Sequence, residues 1–202
     1  MIKLIAHRGL KKDAKENTLE AFKKAIDDSN YVGFECDIRT TKDHVFVCVH
    51  DPIIEGKIVS LTTYQELKRY QVPTLEEVLN LVNNKVPIII DVKHSKGIEK
   101  RLAHILDKYN GTFFIQSFNP YTILWFKNKK KYLTGLLTYN FFQLKSILFI
   151  LRPNYIATNL TNLINIQKYR KQYIVLGYTI KTKKEYHIYK DYADNFICDI
   201  QR

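Results

Sequence analysis

Ile2-Lys3-Leu4-Ile5-Ala6-His7-Arg8-Gly9 reads as one short strand that ends in chemically useful side chains. The apolar run over 2–6 is just long enough for a strand. The histidine, arginine and glycine after it stand at its C-terminal end, where active sites of parallel α/β barrels collect. The pattern returns along the chain. Further strands are expected near 32–38, 87–92, 112–116, 132–138, 155–157, 173–179 and 195–198. Helical patterns lie between most of them, over 18–28, 74–83, 98–109, 120–128, 140–151, 162–171 and 183–192. Thr18 and Thr74 each precede Leu-Glu and a periodic apolar face, so both are expected N-caps. Eight strands alternating with helices imply a parallel sheet, and eight is the number that closes a barrel. No linker, low-complexity tract or repeat interrupts the series, so 1–202 reads as one domain.

One apolar run breaks the alternation. Val45–Val49 follows the second strand after only Thr40-Thr41-Lys42-Asp43-His44. A gap that short forces an antiparallel hairpin, because a parallel return needs a crossover of a dozen residues or more. With the turn centred on Lys42-Asp43, paired positions sum to 85. Glu35 then faces His50 and Asp37 faces Cys48; a turn longer by one residue shifts this pairing. Either register returns His50-Asp51 to the neighbourhood of Glu35 and Asp37.

Glu35 and Asp37 are two apart on a strand and share a face. Two inward carboxylates repel unless a cation holds them, and a hard divalent ion such as Mg²⁺ or Ca²⁺ suits oxygen ligands. The competing reading is a solvated edge pair. Asp91 ends another strand, with Lys93 on the same face. It is either a third metal ligand with Lys93 as a phosphate contact, or half of a local ion pair. His7 and His50 fit a general acid and base on the two sides of a phosphodiester, and Arg8 suits bidentate phosphate binding. His44, His94, His104 and His187 have no comparable context and read as surface or packing residues.

The chain has 202 residues, 46% of them hydrophobic, and a formal net charge of +12. That length is at the small end for a barrel, with little room for insertions. The positive excess suits anionic partners without choosing among them. The lysine clusters at 127–131, 168–171 and 181–184 lack interleaved aromatics on a strand face, which argues against nucleic acid. The apolar segment 141–151 is read as a helix packed on the sheet, with transient contact to an anionic membrane surface as the alternative. Cys36, Cys48 and Cys198 have no framework spacing and read as reduced, buried thiols. No leader precedes the first strand and no apolar run spans a bilayer, so a cytoplasmic location is expected. Oligomeric state is left open.

Taken together, Ala6-His7-Arg8-Gly9, Glu16-Asn17-Thr18 with Ala21-Phe22, Gly33-Phe34-Glu35-Cys36-Asp37, Thr41-Lys42-Asp43 and His50-Asp51 resemble the glycerophosphodiester phosphodiesterase family. Pro73-Thr74-Leu75-Glu76-Glu77-Val78-Leu79, Asp91-Val92-Lys93, Gln116-Ser117-Phe118 and Tyr178-Thr179 continue the likeness in family order, and 195–199 resembles the closing strand. The resemblance implies a TIM (β/α)₈ barrel, to which the short gap after the second strand adds a β-hairpin extension. It implies a metal-dependent enzyme releasing glycerol 3-phosphate and an alcohol from a small phosphodiester. His7 and His50 would be the acid–base pair, Arg8 and Lys93 substrate phosphate contacts, and Glu35, Asp37 and Asp91 the metal ligands. The chain departs from the family pattern in four places. Asp91 stands where Glu is usual, although similar sphingomyelinase D-like enzymes carry Asp there. Tyr178 replaces Trp, and Lys181 a common Asn. The stretch between His50-Asp51 and Pro73 is a shortened insertion, which leaves the alcohol end of the substrate more open. Lysophospholipase D-type cleavage and a non-catalytic phosphodiester-binding barrel are the alternative functions.

Overall fold

A computed structural model describes residues 4–12, 14–93, 97–138 and 144–200. The expectations for His94 and for the first residues of the 141–151 segment lie outside these. The chain runs β1 (Leu4–His7), α1 (Leu19–Asp27), β2 (Tyr31–Thr40), β3 (Phe46–Cys48), β4 (Ile53–Ile54), β5 (Lys57–Ile58), α2 (Tyr64–Leu67) and α3 (Leu75–Val82). It continues with β6 (Ile88–Val92), α4 (Glu99–Leu106), β7 (Phe113–Ser117), α5 (Pro120–Lys130), β8 (Thr134–Thr138) and α6 (Leu144–Leu151). Last come β9 (Tyr155–Asn159), α7 (Leu163–Ile166), β10 (Ile174–Ile180), α8 (Lys183–Tyr189) and β11 (Asn195–Cys198).

Strands β1, β2, β6, β7, β8, β9, β10 and β11 are paired in parallel in that order, and β1 also pairs with β11, which closes the sheet into a barrel. Closure leaves no open edge. Outward side chains such as Phe34, Ile88 and Ile90 meet Phe22, Leu75, Val78 and Leu102 of the helix layer. Ile5, Ile89, Leu137, Tyr155, Leu176 and Ile197 fill the interior below the mouth. The expected caps are present. Thr18 Oγ1 accepts from Ala21 N, and Thr74 forms a capping box with Glu77.

β2 and the residue that leads into β6 approach too closely at one point for any side chain. A Cβ on Gly33 would lie 2.1 Å from the Pro87 carbonyl oxygen, a backbone atom with no freedom to yield. Gly33→Ala is therefore expected to cost about 3 kcal/mol, the upper part of the overpacking range, read as a lowered denaturation midpoint.

β3 is antiparallel to β2, as the short gap requires, but the register differs from the expected one. Ile38 pairs with Cys48, Arg39 with Val47 and Thr40 with Phe46. Pairs sum to 86, so neither Glu35–His50 nor Asp37–Cys48 are partners. The reason is a three-residue loop, Lys42-Asp43-His44, closed by Thr41 N to Val45 O at 3.0 Å. His44 adopts the left-handed φ of +65° that follows a tight turn in such loops. Beyond it, residues 52–72 form the β4–β5 hairpin and α2 over a small core of Val47, Ile54, Val59, Leu67 and Val72.

The helix expected over 162–171 is shorter than its pattern suggests. Only α7 is α-helical, flanked by 3₁₀ turns at Leu160–Asn162 and Gln167–Tyr169. Its inward residues Leu160, Leu163, Ile166 and Tyr169 recur every third position. That spacing lines one face of a 3₁₀ helix and drifts around an α-helix.

Candidate active site

The register of the barrel sets the site. His7 lies beside Glu35 on β1 and β2, and Asp37 beside Asp91 on β2 and β6. His7 and Asp91 stand at the C-terminal ends of β1 and β6, and Glu35 and Asp37 stand level with them on β2, whose last residues run on past the barrel to pair with β3. Glu35, Asp37 and Asp91 are each at most 3% exposed. Each offers a carboxylate oxygen within 4.8 Å of the other two.

Two cations partly balance this cluster. Lys93 Nζ lies 2.7 Å from Asp91 Oδ2 and 3.1 Å from Asp37 Oδ1. Arg8 Nε lies 3.0 Å from Asp37 Oδ2, while its Nη1 reaches Glu16 Oε1 at 2.6 Å. Arg8 holds a left-handed φ of +58° and donates its backbone N–H to Glu35 Oε2 at 3.2 Å. Asn17, also left-handed, clamps Asp37 twice. Its Nδ2 donates to Asp37 Oδ2 at 2.9 Å, and its Oδ1 accepts from Asp37 N at 3.1 Å. Gly9 completes this turn at φ +81°, where a Cβ would strike Ala21 at 2.7 Å. The motifs 7–9 and 16–18 are thus one structure that seats Arg8 and Asn17 on the carboxylates.

Negative charge remains in excess. Burial, together with Asp37 and Asp91, holds the Glu35 carboxyl well above the usual range. Burial pushes Asp91 up to about 6, against the pull of Lys93. Burial also acts to raise Asp37, but Lys93, Arg8 and the Asn17 amide hold it below the ordinary value. Asp91 Oδ1 is buried without a hydrogen-bond partner. Three hard oxygens, one of them unpartnered, in a cluster short of positive charge fit a divalent cation. Glu35, Asp37 and Asp91 are the residues that would hold it, and its binding must displace protons. Asp91 is protonated below about pH 6. Mg²⁺ affinity is therefore expected to be at least about tenfold weaker at pH 5 than at pH 7.5, and to go on rising above pH 6 because Glu35 must give up its proton as well, measured by calorimetric titration.

His7 Nδ1 lies 3.0 Å from Asp199 Oδ1, directly after β11, and Lys11 Nζ lies 2.8 Å from the same oxygen. Burial works against the Asp199 anion, but the His7 and Lys11 contacts outweigh it and lower its pKa. A carboxylate on Nδ1 fixes the ring and leaves Nε2 as the nitrogen for proton transfer. His50 is similarly held, with Nδ1 2.8 Å from Asp51 Oδ1. Its carbonyl accepts from Arg39 Nε at 2.7 Å, and the preceding Val49 N donates to Asp37 O at 2.9 Å. His50 therefore follows directly on a residue anchored to the Asp37 backbone, and it lines a cleft with Glu16, Asn17, Ile53 and Ile54. His44, His104 and His187 are exposed and outside this constellation.

Every expected site residue that the sequence singled out is among the described residues and stands at or beside the mouth. Asp199, Lys11 and Glu16 were not assigned roles from sequence. Asp199 obeys the same strand-end rule as His7 and Asp91, so its position after 195–198 carried a usable signal. The Lys11 and Glu16 contacts depend on the path of the 8–18 turn, which has no sequence period.

Residues 7–193 match the Glycerophosphoryl diester phosphodiesterase family. The chain is 32% identical to a glycerophosphodiester phosphodiesterase of Caldanaerobacter subterraneus subsp. tengcongensis, over 59% of each chain. It is also 32% identical to one of Bacillus altitudinis, over 54% of each. The chain thus spans less than two thirds of the length of these relatives. Among solved structures, a glycerophosphodiester phosphodiesterase from Thermotoga maritima aligns with TM-score 0.82 at 23% identity, covering 98% of this chain and 95% of that one. A phosphodiesterase from Oleispira antarctica, in complex with the product sn-glycerol-3-phosphate, aligns with TM-score 0.87 at 20% identity, covering 98% and 92%. At these identities the structural likeness establishes the barrel fold.

Proposed function

This chain belongs to the glycerophosphoryl diester phosphodiesterase family, and from that premise we propose that it hydrolyses glycerophosphodiesters to glycerol 3-phosphate and an alcohol. The observation that carries this reading is the placement of a carboxylate-held histidine, His7, beside the buried Glu35–Asp37–Asp91 cluster at the barrel mouth. Arg8 and Lys93 sit against the same cluster and supply positive charge for a substrate phosphate.

In this mechanism His7 and His50 work as a pair. One imidazole takes the proton of the attacking hydroxyl, and the other donates a proton to the departing alkoxide. Asp199 and Asp51 hold the two rings through Nδ1 and stabilise the imidazolium form of each in turn. The attacking group is water or the neighbouring glycerol hydroxyl, and the second route passes through a cyclic phosphate. A bound Mg²⁺ or Ca²⁺ would neutralise charge developing on the phosphoryl oxygens. Arg8 and Lys93 orient the phosphodiester so that attacking and leaving oxygens address the two histidines.

A panel of glycerophosphodiesters with Mg²⁺ or Ca²⁺ tests the reading. Release of glycerol 3-phosphate is the expected result. Saturable diester binding with no product under either metal would assign the chain to the non-catalytic alternative. One observation favours a second substrate, a lysophospholipid. Ile53 is 53% exposed and lines the cleft that holds His50, on the side where the insertion is short. A ratio of turnover on a lysophospholipid to that on its deacylated diester decides between them.

A further inference from the structure

Away from the mouth, a groove of about 850 Å³ runs between α6 and the segment that enters β10. Arg152, Pro153 and Asn154 lead into the N-terminal end of β9, and Gln172 and Tyr173 into that of β10. The groove therefore opens toward the end of the barrel opposite the carboxylate cluster. Lys127, Lys145, Arg152 and Lys168 line it, and no carboxylate does among the described residues. None of the four makes an ion pair with another described residue either. Partial burial and the like charge of Arg152 hold the Lys127 ammonium below its usual range, as expected where positive charge goes unanswered.

The same helix carries apolar side chains that no described residue covers. Phe149 is 72% exposed and Ile150 is 64% exposed. Lys145 and Phe149 lie one turn apart on α6, and Arg152 follows just past the helix end in left-handed backbone, its guanidinium 5.5 Å from the Phe149 ring centre. Water alone would not favour two large exposed apolar side chains beside uncompensated cations. A surface that offers both negative charge and an apolar layer just beneath it satisfies both at once.

We propose that this face docks on an anionic phospholipid bilayer, with Phe149 and Ile150 entering the headgroup–acyl boundary and Lys127, Lys145, Arg152 and Lys168 meeting lipid phosphates. The proposal gives a place in the fold, on α6, to the membrane contact that was the alternative reading of segment 141–151, and it stands apart from the catalytic reading. Docking on this face turns the mouth away from the bilayer. The bound protein then draws on diesters in the aqueous phase, such as those left when both acyl chains have been removed from a phospholipid.

Vesicle sedimentation of the full chain tests it without any turnover measurement. Binding is expected to vesicles of phosphatidylcholine with about one third phosphatidylglycerol, and not to phosphatidylcholine alone. Lys145→Glu/Arg152→Glu is expected to weaken it by at least about 25-fold, taking each lost basic residue at the surface as a factor of about five before any repulsion of the new glutamates. Phe149→Ser/Ile150→Ser is expected to weaken it about tenfold. Lys23→Glu/Lys100→Glu makes the same change in net charge on exposed positions of α1 and α4 and is expected to leave most of the binding intact. All three pairs are on the surface, so unchanged thermal melts are expected and turnover on a soluble diester is expected to persist. Equal losses from the two charge-reversal pairs would reduce the effect to net charge and overturn the proposal. So would full binding by the serine pair, or no binding to either vesicle. Displacement by millimolar inorganic phosphate, beyond that of chloride at equal ionic strength, would assign the groove to a free anion and overturn it too.

Discussion

His7→Ala is expected to lower kcat on glycerophosphocholine by about 10²–10⁴-fold, the range for removing a general acid or base. The side chain is well placed for a clean measurement. Its ring nitrogen Nδ1 contacts Asp199, and Asp199 keeps its second partner, Lys11 at 2.8 Å, when the ring is gone. No carboxylate is left buried and unpaired, so the fold should survive the change. A change in KM alone is not expected, because the imidazole acts on protons in flight and not on the bound phosphate. His50→Ala should fall in the same range. Near wild-type turnover in both variants would sink the acid–base assignment.

Removing divalent cations should be as damaging. Excess chelator is expected to reduce turnover by about 10³-fold or more, corresponding to several kcal/mol of lost charge stabilisation in the transition state. Mg²⁺ or Ca²⁺ should restore it, because all three candidate ligands are hard oxygens. Asp91→Ala should resemble chelation, whereas Asp91→Glu should retain more activity, since the longer carboxylate keeps the donor atom. The variants also separate metal binding from the ion pair with Lys93. If Asp91 served only to hold Lys93, Asp91→Ala would lower turnover while leaving calorimetric Mg²⁺ affinity unchanged. Full activity in chelator would refute the metal reading outright.

Much of this site was legible in the sequence because it lies where strands end. A strand alternates sides every residue, so Glu35 with Asp37 and Asp91 with Lys93 had to share faces once the strands were placed. His7 followed from the same reasoning. What escaped was set by backbone detail without a periodic signature. The β2–β3 register moved by one residue because His44 accepts a left-handed conformation, which lengthens the loop from two residues to three. Asn17 was quoted only as part of a motif. Its clamp on Asp37 depends on a turn in which Arg8, Gly9 and Asn17 all have positive φ. The segment around α7 was over-read as a full helix, since its apolar residues also tolerate a 3.6-residue period over two turns. The pairing of His7 with Asp199 joins residues 192 apart in sequence, and only barrel closure brings them together.

That closure has a consequence for how the protein comes into being. Ile5 pairs with Ile197 and Ala6 with Cys198, so the first strand waits for the last. A chain emerging from the ribosome carries an unfinished sheet with two exposed edges until β11 has been made. Such edges invite pairing with other chains, and long-range pairing of this kind folds slowly. The same event delivers Asp199 to His7. A barrel arrested before closure therefore lacks the contact that orients the His7 imidazole, and the site stays unfinished for as long as the sheet does.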